Sequence, residues 1–220
     1  MKLCKIRSCL AVGLLSVAIC VPALADDQAP AKKQEGKAAG QPGEADMMAM
    51  MMELSKPGEN HKLLAHGVGA WTYKVKMWMS PDTNAAPMES SGTATIRKIM
   101  GGRYFTGEHM GKMQMPGADG KMMDMEFKGM STEAYDNVKK KFVATWLDNM
   151  GTGIMMLEGT YDPSSKTFTY RADTEFMPGM KVKVREVINI VDNDHHMFEW
   201  YEDRGAGEVK TMQIDYTRKK

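Results

Sequence analysis

The sequence predicts an all-β protein, an antiparallel up-and-down barrel of about ten strands with a short N-terminal helix plugging one end. From Ala70 onward, short segments of alternating apolar and polar residues are separated by turn residues at intervals of about 8–12 residues. No segment of this region has the length and periodicity of a crossover helix, which argues against a parallel α/β sheet. Closing such a meander into a barrel removes the free strand edges that promote aggregation.

The segment from Tyr135 to Asp162 shows this alternation most clearly and predicts a hairpin. One face of its first strand carries Phe142, Ala144, Trp146 and Asp148. Gly151 and Gly153 follow this strand, and we expect them to supply the positive φ values of a tight turn. The indole of Trp146 and the carboxylate of Asp148 should therefore project from the same side of the strand.

Ten strands are predicted from the alternation and from the turn residues between the segments. Their approximate ranges are 70–79, 90–99, 103–112, 122–135, 140–149, 154–161, 166–175, 181–191, 195–203 and 208–218. Proline, glycine, asparagine and aspartate mark the reversals, as in Pro81-Asp82-Thr83-Asn84. A barrel of this size has room inside for side chains or for one small ligand.

Residues 1–25 are predicted to form a signal peptide, so the protein is expected to be periplasmic or secreted. An apolar run follows three basic residues, Lys2, Lys5 and Arg7. The run leads to a small-residue cleavage site, Ala23-Leu24-Ala25. Cys20 raises the alternative of a lipoprotein, but the bulky Ile19 before it favours soluble export.

Cleavage would change both the charge and the cysteine content of the protein. Removing three of the 29 basic residues leaves 26 against 28 acidic ones, a net charge of −2 with histidine neutral. This balance argues against nonspecific binding to nucleic acid or to anionic lipid. All three cysteines leave with the signal peptide, which excludes disulfides, zinc-thiolate sites and cysteine nucleophiles in the mature chain. No later segment is predicted to span a membrane.

The remaining chain divides into a linker, a helical segment and the barrel domain. Residues 26–46 contain no aromatic and no β-branched residue, so they are predicted to be a disordered linker. Residues 47–66 are predicted to be helical, with Ser55 as the N-cap of a second short helix that buries Leu63 and Leu64. The barrel domain is predicted to cover residues 67–220.

The alternation also predicts which side chains point into the barrel. In the eighth strand these are Val182, Val184, Glu186, Ile188 and Ile190. In the ninth strand they are Phe198 and Trp200. In the tenth strand they are Lys210, Met212, Ile214, Tyr216 and Arg218. Aromatic and charged groups on one face suit a polar-headed apolar ligand, or an internal ion-pair network without a ligand.

Several short motifs carry a family resemblance through their combined spacing. They are His61-Lys62-Leu63-Leu64 with Gly69-x-Trp71, Gly101-Gly102-Arg103, Gly129, Tyr135-Asp136-Asn137, Trp146-x-Asp148, Gly151-Thr152-Gly153 and Tyr216-Thr217-Arg218. From about Pro57 to Lys219 the chain resembles the DUF1579 family of bacterial proteins. The resemblance implies a barrel similar to the calycins, with Trp71 packed across a closed end, and it implies no activity.

Six residues are candidates for a ligand site: Arg103, Tyr135, Trp146, Asp148, Trp200 and Arg218. The planar guanidinium of Arg103 would bind a ligand carboxylate through two hydrogen bonds. Alternatively, it would pair with an internal acid such as Asp148, Glu186 or Glu199. The aromatic rings would line a cavity, or they would only form the core.

Methionine is unusually frequent, with 24 residues. The clusters lie at 47–52, 109–115, 122–125 and, together with His195 and His196, at 195–197. Thioethers and imidazoles are soft or borderline ligands that select Cu(I), whereas methionine elsewhere serves as an adaptable filler of gaps. Haem ligation through a histidine is a further alternative.

The leading hypothesis is an exported barrel that binds a small amphipathic or carboxylate-bearing molecule. A copper-binding protein and a solid, partner-binding barrel are the alternatives. The sequence contains no G-x-S-x-G motif, no H-E-x-x-H motif and no phosphate-binding glycine loop. Asp148 and Glu199 could form a carboxylate pair only if the fold brought them together. We therefore predict no enzyme activity, no catalytic residues and no bound cofactor or resident metal.

Overall fold

The structure is a computed structural model that describes residues 43–79, 86–117 and 119–220. The predicted signal peptide, nearly all of the predicted linker and the turn at Pro81-Asp82-Thr83-Asn84 lie outside the described residues.

Two short helices precede the barrel. Helix α1 spans Glu44–Leu54 and helix α2 spans Glu59–Leu64, followed by a 3₁₀ turn at Ala65–Gly67. Helix α1 begins earlier than predicted and includes the last residues of the predicted linker. Glu44 and Asp46 lie in its first turn, where carboxylates interact favourably with the positive end of the helix dipole.

The connection between the two helices differs from the prediction. Ser55 is the C-cap of α1, and its hydroxyl donates a 2.8 Å hydrogen bond to the carbonyl of Met52. It is therefore not available as the N-cap of α2, a position that Gly58 occupies. The amide of Asn137 holds the connection against the barrel by donating hydrogen bonds to the carbonyls of Leu54 and Lys56.

Ten strands follow and form one closed antiparallel barrel. They are β1 Gly69–Met77, β2 Met88–Ile99, β3 Tyr104–Pro116, β4 Met122–Asp136, β5 Lys141–Asp148, β6 Met155–Asp162, β7 Thr167–Met177, β8 Met180–Ile190, β9 His195–Asp203 and β10 Glu208–Arg218. Each strand pairs with the next, and β1 also pairs with β10. The predicted ten-stranded up-and-down barrel with a helix at one end is confirmed.

The end of the barrel against which α2 packs, called the closed end below, has a fully buried tryptophan. The indole N–H of Trp71 donates a 2.8 Å hydrogen bond to the carbonyl of Gly67. The guanidinium of Arg218 lies 4.1 Å from the centre of the Trp71 ring. Leu64 of α2 joins an aromatic core that includes Phe105, Phe142, Phe168 and Tyr170. Helix α2 therefore plugs this end with apolar contacts, as predicted.

The predicted inward faces are found in the structure, with one correction in β10. Met212, Ile214 and Tyr216 face the interior, but Lys210 does not share their face. A bulge between Lys210 and Met212 shifts the pairing with β9, and an extra residue reverses the side-chain alternation. The ammonium of Lys210 consequently lies outside the barrel, 3.0 Å from the carboxylate of Glu199.

The connection between β5 and β6 is not the glycine-dependent tight turn that was predicted. Neither Gly151 nor Gly153 has a positive φ. Polar side chains organise the reversal instead. The carboxylate of Asp148 accepts a 2.9 Å hydrogen bond from the N–H of Met150, and the amide of Asn149 accepts one from the N–H of Lys128.

Gly159 allows an aromatic ring to lie directly on the backbone of the neighbouring strand. It is paired with Tyr170, and a Cβ at this position would lie 2.6 Å from both the Tyr170 ring and the carbonyl of Thr169. We expect Gly159→Ala to lower the free energy of unfolding by about 2 kcal/mol through overpacking, as measured by urea denaturation.

The matched control for this prediction is Gly153→Ala, where the added methyl group meets open space. We expect this control to change the free energy of unfolding by less than about 0.5 kcal/mol. Equal denaturation midpoints for the two variants would show that the Tyr170 ring moves aside without strain.

Candidate binding cavity

A cavity of about 410 Å³ occupies the barrel interior and opens at the end opposite the closed end, called the mouth below. The lining follows β1 from Tyr73 through Val75 to Met77, the last residue of the strand, and continues to Met79 just beyond it. Five connections lie at this mouth: those from β1 to β2, β3 to β4, β5 to β6, β7 to β8, and β9 to β10. The barrel is therefore filled at one end and hollow at the other.

Side-chain alternation places an apolar and aromatic lining around this space. The aromatic members are Tyr73, Phe127, Trp146, Phe176, Phe198, Trp200 and Tyr216. Several of these rings stack in pairs, with interplanar angles of 17° for Phe127 with Trp146 and 13° for Phe198 with Trp200. Flat aromatic faces of this kind suit an apolar ligand.

Three of the six predicted site residues line the cavity: Trp146, Asp148 and Trp200. The indole N–H of Trp146 donates a 2.8 Å hydrogen bond to the carboxylate of Asp148, which fixes the ring orientation. The ring lies over Gly129, where an added Cβ would come within 2.5 Å of it. The indole of Trp200 is held in the same manner, 3.2 Å from the carboxylate of Glu202.

The other three predicted site residues lie at the closed end and do not line the cavity. Arg103 donates hydrogen bonds to the backbone carbonyls of Ser55 and Met100, at 3.0 and 3.1 Å. It therefore neither reaches a ligand nor pairs with an internal acid. Its long side chain extends from the start of β3 towards the helices, so it anchors the N-terminal segment.

Arg218 and Tyr135 also have structural positions. The guanidinium of Arg218 donates hydrogen bonds to the carbonyls of Val68 and His66, at 2.7 and 3.0 Å. The ring of Tyr135 packs edge to face against Phe142 in the core under α2. The strand face of Arg218 was correctly predicted, but both residues lie near the ends of their strands at the closed end and so do not line the hollow part.

Two glutamates, Glu133 of β4 and Glu186 of β8, lie in the interior and line the cavity. Burial raises the pKa of Glu133 to about 7, and a hydrogen bond from the hydroxyl of Tyr170 opposes this effect. Burial, and then the neighbouring Glu133 carboxylate, raise the pKa of Glu186 to about 8. Among the described residues, neither carboxyl group has a lysine, arginine or histidine within ion-pair distance.

Two interior histidines add polarity without charge at neutral pH. Burial lowers the pKa of His109 to about 4. Burial, followed by the nearby cationic groups, lowers the pKa of His196 to about 3. His196 stacks on Tyr216, with ring centres 4.4 Å apart. Lys112 also lines the cavity, but its side chain is exposed.

Sequence reasoning identified Glu186 as an inward acid but missed Glu133 as its partner. The signal was present in β4, where Phe127, Gly129 and Ser131 precede Glu133 on one alternating face. The suggested pairing of Asp148 with Glu199 is not found, because Asp148 lines the cavity and Glu199 lies on the outer face.

The described part of the chain contains no group of three or more histidine, cysteine, aspartate or glutamate side chains placed to hold a metal ion. This result concerns nitrogen, oxygen and thiolate ligands, and thioethers are a separate case. None of the described helices combines the length and the apolar composition needed to cross a membrane.

A closed ten-stranded meander, plugged by a helix at one end and hollow at the other, defines a calycin-like barrel. The model of a family described as a protein of unknown function (DUF1579) matches residues 56–218. The chain belongs to this family, which confirms the resemblance seen in the sequence. No curated protein matches the chain.

Proposed function

We propose that this barrel binds a small, mostly apolar molecule that carries an amine, and that it is a binding protein rather than an enzyme. The observation that carries the proposal is the cavity of about 410 Å³ with two interior carboxyl groups. Its volume falls within the range of roughly 300–1,000 Å³ that is typical of small-molecule sites. A solid barrel that acts only through its outer surface would need a filled interior.

The charge of the cavity favours a cationic ligand over the carboxylate-bearing one expected from the sequence. That expectation depended on the guanidinium of Arg103, which does not reach the cavity, and the guanidinium of Arg218 does not reach it either. The interior groups that ionise near neutral pH are Glu133 and Glu186, which both become negative. An ammonium group would supply the opposite charge that the fold itself does not place beside them.

The lining suits the remainder of such a ligand. Its aromatic rings offer apolar area to an alkyl or aryl body, and their faces also attract an ammonium group. Asp148 adds a carboxylate towards the mouth, where an approaching cation would meet it first. We further propose that the protein acts in the periplasm or outside the cell, because its N-terminal residues have the pattern of a signal peptide.

A matched set of probes tests the chemical class of the ligand. Decylamine, decanol and decanoate share one chain length and differ in the head group, and binding is followed by calorimetry and by tryptophan fluorescence. We expect decylamine to bind at least about tenfold more tightly than decanol, and decanoate to bind most weakly. Native mass spectrometry of protein purified from its own source should also show a bound amine. Tighter binding of decanoate than of decylamine would refute the proposal.

The pH dependence gives a second prediction. Between about pH 6 and pH 8.5 the glutamates ionise, while an alkyl amine with a pKa of about 10 stays protonated. The affinity for decylamine should therefore rise about tenfold across this interval. In the variant Glu133→Gln/Glu186→Gln, the affinity for decylamine should not change with pH and should approach that for decanol. A pH-dependent affinity that survives in this variant would assign recognition to other groups.

A further inference from the structure

The mouth of the barrel is rich in methionine, and part of this methionine surrounds a second, smaller pocket. This thioether pocket has a volume of about 130 Å³. Five of its lining residues are methionines: Met77, Met88, Met113, Met115 and Met122. The other lining residues are Glu89, Ser90 and Gln114. Members of two sequence clusters, 109–115 and 122–125, thus meet two isolated methionines in one place.

The strand pairing explains why this space exists. The ladder between β2 and β3 extends only as far as the pair of Ser91 with Lys112. Beyond it, the first residues of β2 pair with β1, where Met88 is opposite Met77. The last residues of β3 pair with β4, where Met115 is opposite Met123. The two strands therefore separate at the mouth, and methionines from both sides border the gap.

Neither strand propensity nor simple gap filling accounts for this arrangement. Strand positions favour β-branched and aromatic residues, whereas methionine is the flexible choice among apolar side chains. A filler should occupy the space that it faces, but the five methionines line a pocket of about 130 Å³ that the described residues leave open. A soft monovalent metal ion such as Cu(I) is bound preferentially by soft, uncharged sulfur ligands. Methionines that line a small pocket can supply such ligands.

We propose that the thioether pocket binds Cu(I), with two or three of the five methionine sulfurs as ligands. The carboxylate of Glu89 at the edge of the pocket would balance the charge of the ion. Thioethers carry no proton in the working pH range, so binding releases none from them. This proposal is independent of the amine site, although Met77, Met113 and Met115 also contact the main cavity.

The other methionine clusters do not share this geometry. The methionines of α1, at positions 47–52, lie on an exposed helix. The single methionine of the 195–197 cluster, Met197, lies in β9 near the closed end, where His195 contacts the carboxylate of Asp192 at 2.9 Å. Binding should therefore be confined to the mouth, and the experiment can separate these locations.

The test is an anaerobic titration of the protein with Cu(I) against a chromophoric chelator. All samples carry Cys4→Ser, Cys9→Ser and Cys20→Ser, because thiolates would otherwise compete with thioethers for Cu(I). We expect one equivalent to bind with micromolar or tighter affinity and with little change between about pH 6 and pH 8. Ag(I), which needs no reductant, should shift the ¹³C-methyl signals of Met77, Met88, Met113, Met115 and Met122.

Two variants locate the site. Met113→Leu/Met115→Leu/Met122→Leu removes three thioethers at nearly constant volume, and we expect it to weaken binding at least tenfold. Met130→Leu/Met156→Leu removes two exposed methionines that line neither pocket, and we expect unchanged binding. Circular dichroism and urea denaturation, neither of which depends on the amine site, confirm that both variants are folded. Absence of binding, retention of binding in the triple variant, or methyl shifts confined to residues 47–52 would each overturn the proposal.

Discussion

Replacing Trp71 by alanine should lower the free energy of unfolding by about 3–5 kcal/mol, the range found when a buried large aromatic side chain is deleted. The side chain is fully buried at the closed end. It also donates a hydrogen bond to the carbonyl of Gly67 and supports the guanidinium of Arg218 on its face. Urea denaturation followed by circular dichroism would measure the loss.

The variant Trp71→Phe separates packing from the polar contact. It keeps most of the buried ring but cannot donate to Gly67, so we expect a smaller loss of about 1–2 kcal/mol. Deletion at Trp71 should also weaken the hold of Arg218 on the backbone of the closed end. A loss below about 1 kcal/mol for Trp71→Ala would mean that packing at the closed end contributes little to the free energy of unfolding of the barrel.

The second large effect is a dependence of stability on pH that the interior glutamates impose. In the folded protein the pKa of Glu133 is raised to about 7 and that of Glu186 to about 8, above the ordinary value of 4.5. The folded state therefore holds protons more tightly than the unfolded state. The stabilisation is fully present below pH 4.5 and is lost as the pH rises through 7 and 8.

A tenfold change in proton affinity corresponds to about 1.4 kcal/mol, and the two pKa values lie about two and three units above pH 5, so the full sum of the two effects between pH 5 and pH 9 is a loss of about 7 kcal/mol in the free energy of unfolding. Water that enters the cavity is expected to reduce the effect below the full sum. The variant Glu133→Gln/Glu186→Gln should be much less sensitive to pH and should be the more stable protein at pH 9. Urea denaturation at several pH values would test this.

An exposed acid provides the control. Glu126→Gln should leave the pH dependence of the wild type unchanged, because this side chain lies on the outer surface. If the wild type were instead most stable near pH 9, the two carboxyl groups would have to be paired with cations in solution. That result would also remove the main support for an amine ligand, since the interior would then already be neutralised.

The strands of this fold could be predicted because their alternation is local and regular. In β8, Val182, Val184 and Glu186 follow a simple period of two, and the structure follows it as well. The errors arose where one residue breaks the rule. The bulge in β10 moved Lys210 to the outer face, and Ser55 capped the end of α1 instead of the start of α2.

The site was harder to predict than the fold, since it depends on how far each residue lies along the barrel axis. Trp146 and Arg103 were both assigned to strands, but only Trp146 lies at the hollow end. The convergence of Glu133 with Glu186 joins β4 and β8, which are not neighbours in the sheet. A contact of this kind between two strands across the barrel interior cannot be predicted from the alternation of residues within either strand.

The pairing of β1 with β10 has a consequence for when, during folding, the proposed ligand site is completed. Thr72 and Thr217 are hydrogen-bonding neighbours although 145 residues separate them along the chain. Pairing over such a distance is slow, and it completes the ring of strands only when the last one arrives. Before that step the cavity lacks the part of its lining that Ile214 and Tyr216 of β10 supply. Ligand binding should therefore be detectable only in fully folded protein, and a partly assembled sheet should show none.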